Sequence, residues 1–250
     1  MTALGSPLAA ADLSDAFSEA ASRYDRMVSL NPGYHRHLRS AAAALLETRD
    51  AHRPLRLVDL GCGSGASTRA LLAEARRAGA EVVVTGVDAS EGMLDQARAK
   101  RWPAGVDFHQ GLAQDLAASR DAWGLAEPVD GVLAAYLFRN VTERDAVLAD
   151  VHALLAPGGT LVVQEYSVAG SPLASLVWTL VSWAVVIPLS WVTSRRTRLY
   201  RYLWRSVRVF DAVQTFTDRL WAAGFVDVEV RTVPGWQHGI LHTVRARKPS

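Results

Sequence analysis

Val58-Asp59-Leu60-Gly61-Cys62-Gly63-Ser64-Gly65 lies between two segments of different periodicity. Leu55–Leu60 is a short apolar run that reads as a strand, and Ser67–Ala78 reads as a helix. Glycines at such a strand-to-helix turn let the backbone reverse tightly and approach a ligand with no Cβ in the way. Asp88 follows Gly65 by 23 residues, at the end of the next apolar segment. A carboxylate there can accept hydrogen bonds from both hydroxyls of a ribose. Gly61, Gly63 and Ala66 also satisfy the looser dinucleotide fingerprint, so spacing alone leaves a nicotinamide cofactor open, and a plain tight turn as well. No G-x-x-x-x-G-K-[ST] occurs, which excludes a P-loop.

The segments on either side repeat the alternation. Residues 1–50 read as a helical cap: Ser14 to Leu30 carries Phe17, Ala20, Ala21, Tyr24 and Val28 near helical spacing, and a second helix runs from Tyr34 to about Arg49. Asn31-Pro32-Gly33 is the turn between them. Further strands are expected at Glu81–Val87, Val106–His109, Val129–Ala135 and, after a Pro157-Gly158-Gly159 turn, Thr160–Glu165. Helices are expected at Ser90–Lys100, with Ser90 as N-cap, and at Thr142–Leu155, with Thr142 as cap. This alternation predicts a parallel sheet with helices on both faces. A helix at Asp211–Ala223, closed by Gly224, precedes two β-rich runs, Val226–Val233 and Ile240–Arg247. Only Pro234 to Gly239 separates them, too little for a crossover helix, so they pair antiparallel. The expected fold is one α/β domain over residues 1–250, a doubly wound, mostly parallel seven-stranded sheet ending in an antiparallel hairpin.

Composition narrows the classes. Half the residues are hydrophobic and 21% are charged, which excludes global disorder. Lys and Arg total 27 against 25 acidic residues, a balance that argues against a dedicated nucleic-acid binder. Cys62 is the single cysteine, so an intrachain disulfide and a multi-cysteine zinc site are both excluded, and a reducing compartment fits. The histidines, among them His35, His37, His109, His152 and His242, show no metal-ligand spacing.

With Asp88 in Val87-Asp88-Ala89-Ser90-Glu91-Gly92-Met93-Leu94, the glycine motif resembles class I S-adenosylmethionine-dependent methyltransferases. The resemblance implies that the glycine loop lies beside the methionine part of S-adenosyl-L-methionine and that the acid holds the ribose. The cofactor contacts it implies are Tyr24, Asp59, Gly61, Cys62, Gly63, Gly65, Asp88, Ala89, Met93, Leu112, Ala113 and Tyr136. This cofactor carries no phosphate, so phosphate-binding Lys or Arg is not expected near the loop. Where such enzymes often show Gly-Asp-Ala or Gly-Asn-Ala, this chain has Gly111-Leu112-Ala113, leaving backbone groups or Asp115 to read the adenine.

More of the chain is similar to one branch, the ubiquinone/menaquinone biosynthesis C-methyltransferases. Tyr24-Asp25-Arg26-Met27 with Gly33-Tyr34-His35-Arg36 resembles its N-terminal segment, and Phe138-Arg139-Asn140-Val141 its signature after the fourth strand. Leu155-Ala156-Pro157-Gly158-Gly159, Glu165-Tyr166-Ser167, Tyr202-Leu203 with Ser206 and Phe210, Ala223-Gly224-Phe225 and His238-Gly239-Ile240-Leu241-His242 continue the match. The resemblance implies Arg139 and Asn140 as the catalytic pair. Arginine stays protonated and is a poor base, so Arg139 is expected to stabilise oxyanion charge or orient a water that accepts the proton, with Asn140 holding that water or a substrate oxygen. A structural salt bridge is the plain alternative for Arg139.

Leu173–Thr193 has 21 residues with no charge, and includes Trp178, Trp183 and Trp191. That length just spans a bilayer, but Pro188, five Ser/Thr residues and the need to keep the last helix and hairpin with their sheet favour a lid that dips into one leaflet. Arg195, Arg196, Arg198, Arg201, Arg205 and Arg208 follow, the last four spaced along one helical face. Residues 170–208 therefore read as an apolar and basic helical insertion suited to anionic lipid; the bland reading is a solvated helix packed on the domain. Met1 to Phe17 lacks the basic start and apolar run of a signal peptide. The expectation is a methyltransferase at the cytoplasmic face of the cell membrane, acting on a lipophilic quinol or related aromatic. A phospholipid N-methyltransferase, a secondary-metabolite O- or C-methyltransferase and a catalytically silent, cofactor-binding assembly module remain open.

Overall fold

A computed structural model describes Ser18 and residues 33–47, 53–188 and 198–250. In chain order the elements are α1 (Tyr34–Leu46), β1 (Leu55–Leu60), α2 (Ala66–Arg77), β2 (Val82–Asp88), α3 (Glu91–Arg98), β3 (Val106–Gln110), α4 (Leu116–Ser119), β4 (Val129–Ala135), α5 (Arg144–Leu154), β5 (Leu155–Tyr166), α6 (Pro172–Val181), α7 (Arg198–Val209), α8 (Val213–Ala222), β6 (Val226–Thr232) and β7 (Leu241–Arg247). The seven strands form one sheet in the order β3-β2-β1-β4-β5-β7-β6. Neighbours from β3 to β5 run parallel, and β7 is antiparallel to both β5 and β6. The expected doubly wound sheet with its antiparallel end is the observed one.

Side chains of each strand alternate between two apolar layers. Leu60, Val132, Ala134, Leu161 and Val163 pack with Val147, Val151, Phe216 and Leu220. Leu57, Leu133 and Val162 pack on the other face with Leu38, Ala41, Leu45 and Leu71. Covering both faces explains why β4 is buried throughout and why its sequence reads as a continuous apolar run. Chain order reverses at β1, which lies between β2 and β4. In open α/β sheets, ligands bind beyond the strand C-termini at such a switch point.

Local chemistry fixes the element ends. The Ser90 hydroxyl accepts the Met93 N–H at 3.2 Å and caps α3 as expected. Thr142 is not a cap: α5 begins at Arg144 after Glu143, with no side-chain cap bond. Instead the Arg144 guanidinium donates to the Phe138 carbonyl at 3.0 Å and braces the preceding turn. Pro157-Gly158-Gly159 does not precede β5 but lies inside it. The reason is the chain end: the Gly158 N–H donates to the Lys248 carbonyl at 3.1 Å, and the Lys248 N–H donates to the Gly159 carbonyl at 2.8 Å. Gly158 has φ +71, so the strand bulges there and the β4–β5 register shifts.

Within the expected first helix, Ser14 to Leu30, only Ser18 is described; it is helical, and its hydroxyl lies 2.7 Å from that of Ser90. Residues 189–197 of the insertion also lie outside the described residues. α6 continues into a π-helical turn, Ser182–Val186. It buries Ala174 and Trp178 and exposes Leu173, Leu176, Leu180 and Trp183, at 72%, 56%, 58% and 47%. α7 packs beside it, with the Trp178 indole donating to the Trp204 carbonyl at 3.2 Å. Arg201, Arg205 and Arg208 are exposed on α7 while Ser206 and Val207 are buried. Among the described residues, no helix is long and apolar enough to cross a membrane.

Candidate active site

The glycine turn is tied to the end of β2. The Gly61 and Cys62 N–H groups both donate to the Val87 carbonyl, at 2.7 and 3.0 Å. The Gly63 N–H donates to Asp88 Oδ2 at 2.8 Å, and the Ser90 N–H to Oδ1 at 2.9 Å. Asp88 thus holds the loop and keeps lone pairs on both oxygens, because a carboxylate accepts about four hydrogen bonds. Gly65 must be glycine: its φ is +86, and a Cβ would stand 2.7 Å from the Trp102 ring.

Asp59 sits fully buried behind this loop. Its Oδ2 accepts from the Ser67 and Thr68 hydroxyls at 2.7 and 2.6 Å, while Oδ1 is buried with no hydrogen-bond partner. Burial pushes its pKa up to about 6, against the pull of Thr68 and Ser67 and with the nearby Asp88 charge adding to the rise. Burial raises Asp88 as well, opposed by the two backbone N–H bonds. Cys62 is buried, and burial pushes its thiol well above the usual range.

A cleft opens in front of the loop, with about 610 Å³ of space partly open to solvent. Gly61, Asp88, Ala89, Leu112, Ala113 and Asn140 line it, all of them residues singled out from sequence. Leu60, Ser90, Gln114 and Leu137 are among its other walls, and the sequence marks none of them as a ligand contact. Asp59, Cys62, Gly63, Gly65 and Met93 are not on this wall; Met93 is buried, with its methyl 3.2 Å from where a Gly63 Cβ would be. Tyr24 lies outside the described residues. Asp115 is exposed, with its carboxylate accepting the Leu112 N–H at 3.2 Å.

The lining fits part of S-adenosylmethionine. Asp88 lines the cleft and offers acceptors to ribose hydroxyls, whereas the unpartnered Asp59 Oδ1 is buried and not on the cleft wall. No Lys or Arg lines the cleft among the described residues, and the Lys100 ammonium donates to the Ser64 carbonyl of the glycine loop at 2.6 Å. Leu112, Ala113 and Gln114 would take the adenine side. No group of three or more His, Cys, Asp or Glu suited to a metal occurs among the described residues.

Beyond β4 the Phe138–Asn140 turn brings in the second set. Arg139 and Glu165 form a buried ion pair, Nη1 to Oε1 at 2.5 Å, with side chains 8% and 5% exposed. The Arg139 N–H also donates to Glu165 Oε2 at 3.3 Å, and the Tyr166 N–H to Oε1 at 3.0 Å. Burial raises the Glu165 pKa, and Arg139 opposes the rise. The salt bridge considered for Arg139 is therefore present. Asn140 reaches the cleft, and Tyr202 of α7 donates to its Oδ1 at 3.0 Å.

Tyr136, expected at the cofactor, is not in the lining of this cleft and is the second ring of a stack. Tyr34, Tyr136, Tyr166 and Trp178 follow one another with centroids 5.6, 5.2 and 5.2 Å apart. Tyr136 has φ +60, and its hydroxyl accepts from Gln164 Nε2 at 2.7 Å. The stack runs from α1 across the ends of β4 and β5 to the apolar α6. Glu165 and Tyr202 both stood in stretches matched to the family, but no role had been attached to them. Their partners lie 26 and 62 residues away in sequence.

A switch-point cleft with a glycine loop and a ribose-type carboxylate fits an S-adenosylmethionine-dependent methyltransferase. The sequence model of the ubiE/COQ5 methyltransferase family matches residues 7–245, and the chain belongs to that family. It is 30% identical to the ubiquinone/menaquinone biosynthesis C-methyltransferase UbiE of Bradyrhizobium diazoefficiens, over 89% of this chain and 87% of that one. It is 33% identical to the demethylmenaquinone methyltransferase of Clavibacter sepedonicus, over 94% and 89%. Among solved structures, a Haloferax volcanii chain from a complex with the Trm112 methyltransferase activator superposes with a TM-score of 0.62 at 18% identity, over 94% of this chain and 98% of that one, a likeness of fold.

Proposed function

We propose that the chain methylates a ring carbon of a lipophilic quinol at the surface of an anionic membrane, on its cytoplasmic side. The names of the relatives support the substrate class. The observation that carries the reading is the Phe138–Asn140 turn, which puts a polar Asn140 on the cleft wall beside a buried charged pair. When bound, S-adenosylmethionine supplies a methyl carbon made electrophilic by its positive sulfur. A quinol carbon becomes nucleophilic as a neighbouring hydroxyl loses its proton, so the protein must hold an oxygen of growing negative charge and keep water out. Arg139 is neutralised by Glu165 and is not itself on the cleft wall, so it supports the turn from behind; Asn140 provides a neutral amide at the wall. Burial leaves Glu165 readier to take a proton than an exposed carboxylate.

The exposed Leu173, Leu176, Leu180 and Trp183 beside Arg201, Arg205 and Arg208 support the membrane part. The Arg201 guanidinium lies 5.8 Å from the Trp183 ring centroid, and that of Arg208 lies 4.9 Å from Trp204, so cation and aromatic share one surface as at a headgroup layer.

The test is methyl transfer from isotopically labelled S-adenosylmethionine to reduced demethylquinols and to an aminophospholipid in liposomes, read by mass spectrometry. Label on a quinol ring carbon is the expected result. Label on the phospholipid nitrogen would move the function to headgroup methylation, a reaction that needs no phenolate stabiliser, and Arg139→Ala would then leave the chemical step almost unchanged.

A further inference from the structure

Asn140 carries an amide whose two ends are chemically opposite, and the protein fixes which end faces which way. Its Nδ2 lies 3.4 Å from the Tyr136 backbone carbonyl. A carbonyl oxygen can only accept, so the atom facing it is the nitrogen and the other end is the oxygen. The Tyr202 hydroxyl donates to that oxygen at 3.0 Å. One N–H of the amide remains without a protein acceptor among the described residues, and Asn140 lines the cleft. A hydrogen bond received at an amide oxygen also strengthens donation from its N–H, because bonded groups polarise one another.

We infer that Tyr202 is a positioning residue for the methyl acceptor: its hydroxyl locks the Asn140 amide so that Asn140 offers an N–H to the substrate oxygen beside the reacting carbon. The inference rests on the phenolic-acceptor reading above. It also makes α7 part of the site, since Tyr202 comes from the helix whose outer face bears Arg201, Arg205 and Arg208. An N–H at that place favours the ionised oxygen over the hydroxyl, so it lowers the pH at which the bound quinol becomes reactive.

The experiment compares wild-type protein with Tyr202→Phe on a reduced demethylquinol in anionic liposomes. The expected result is a kcat about tenfold lower, an unchanged Kd for S-adenosylmethionine by calorimetry, and a rising limb of the kcat–pH profile moved up by about one unit. On an Asn140→Ala background, Tyr202→Phe should cause no further loss, because Tyr202 acts through Asn140. Replacing Tyr202 by 3-fluorotyrosine, a stronger donor with almost the same ring, should move the limb to lower pH. A purely structural role predicts no movement of the limb in either direction. Wild-type kcat and pH limb in Tyr202→Phe, or losses that add on the Asn140→Ala background, would overturn the inference. A wild-type enzyme that labels no quinol ring carbon would instead overturn the reading beneath it.

Discussion

Asp59 and Asp88 are both buried carboxylates pushed toward the protonated form, yet only Asp88 lines the cleft. Asp88→Asn would turn one acceptor into a donor against a backbone N–H. S-adenosylmethionine should then bind about 10- to 100-fold more weakly by calorimetry, the size of a lost charged hydrogen bond. Asp59 has a pH signature. Its folded pKa of about 6 lies above the ordinary value of 3.8, so between those values the native state holds a proton that the unfolded chain has lost. Stability from this group therefore falls as pH rises from about 4 to 6 and stays lower above that. In Asp59→Asn this component is gone. Urea midpoints of the cofactor-free protein, measured from pH 4 to 7.5, should fall less in the variant than in wild type; parallel curves would refute the assignment. Both acids were legible in the sequence, since each belongs to a short motif with fixed spacing. Glu165 was not, because a buried ion pair between residues 26 apart leaves no local pattern.

Among the elements, the strands and helices expected in the alternating part follow from periodicity, and most observed bounds differ from expectation by a residue or two; the single turn α4 was not expected. The other exceptions have non-local causes. Pro157-Gly158-Gly159 reads as a turn by composition, but its backbone pairs with Lys248 at the far end of the chain. Tyr136 reads as a cofactor contact by resemblance, and its place in a stack with rings from α1, β5 and α6 left no trace in the local sequence. The insertion was legible as an apolar and basic helical lid; which residues of α6 face outward and which are buried was not. Its proposed lipid contact has a measurable size. Each Arg near an anionic surface contributes about 1 kcal/mol, so changing Arg201, Arg205 and Arg208 together to Gln should weaken co-sedimentation with phosphatidylglycerol vesicles roughly 100-fold. Leu176→Asp should weaken it without removing the salt dependence that screened charges impose. Binding that ignores both vesicle charge and these changes would contradict the proposal.

At the scale of the molecule, sheet order decides where chemistry can occur. The reversal at β1 opens the cleft, β2 brings Asp88 to it, the turn after β4 brings Asn140, and α7 brings Tyr202 to Asn140. Because the residues lining the cleft come from separate segments, a ligand bound there should stabilise the whole fold. S-adenosylmethionine at 100 times its Kd should add about 2.7 kcal/mol to the unfolding free energy, visible as a melting shift of several degrees, while NAD should add nothing. Equal shifts with both would reopen the dinucleotide alternative. One further consequence follows from Cys62. It is the chain's single thiol, buried, with its ionisation suppressed. Maleimide reagents near neutral pH should pass it by, because they require an exposed thiolate. The natural sequence is thus already a background for single-site labelling: a cysteine placed at Leu180 would carry a polarity-sensitive dye alone, and its emission on adding vesicles would read directly how wet that helix face becomes.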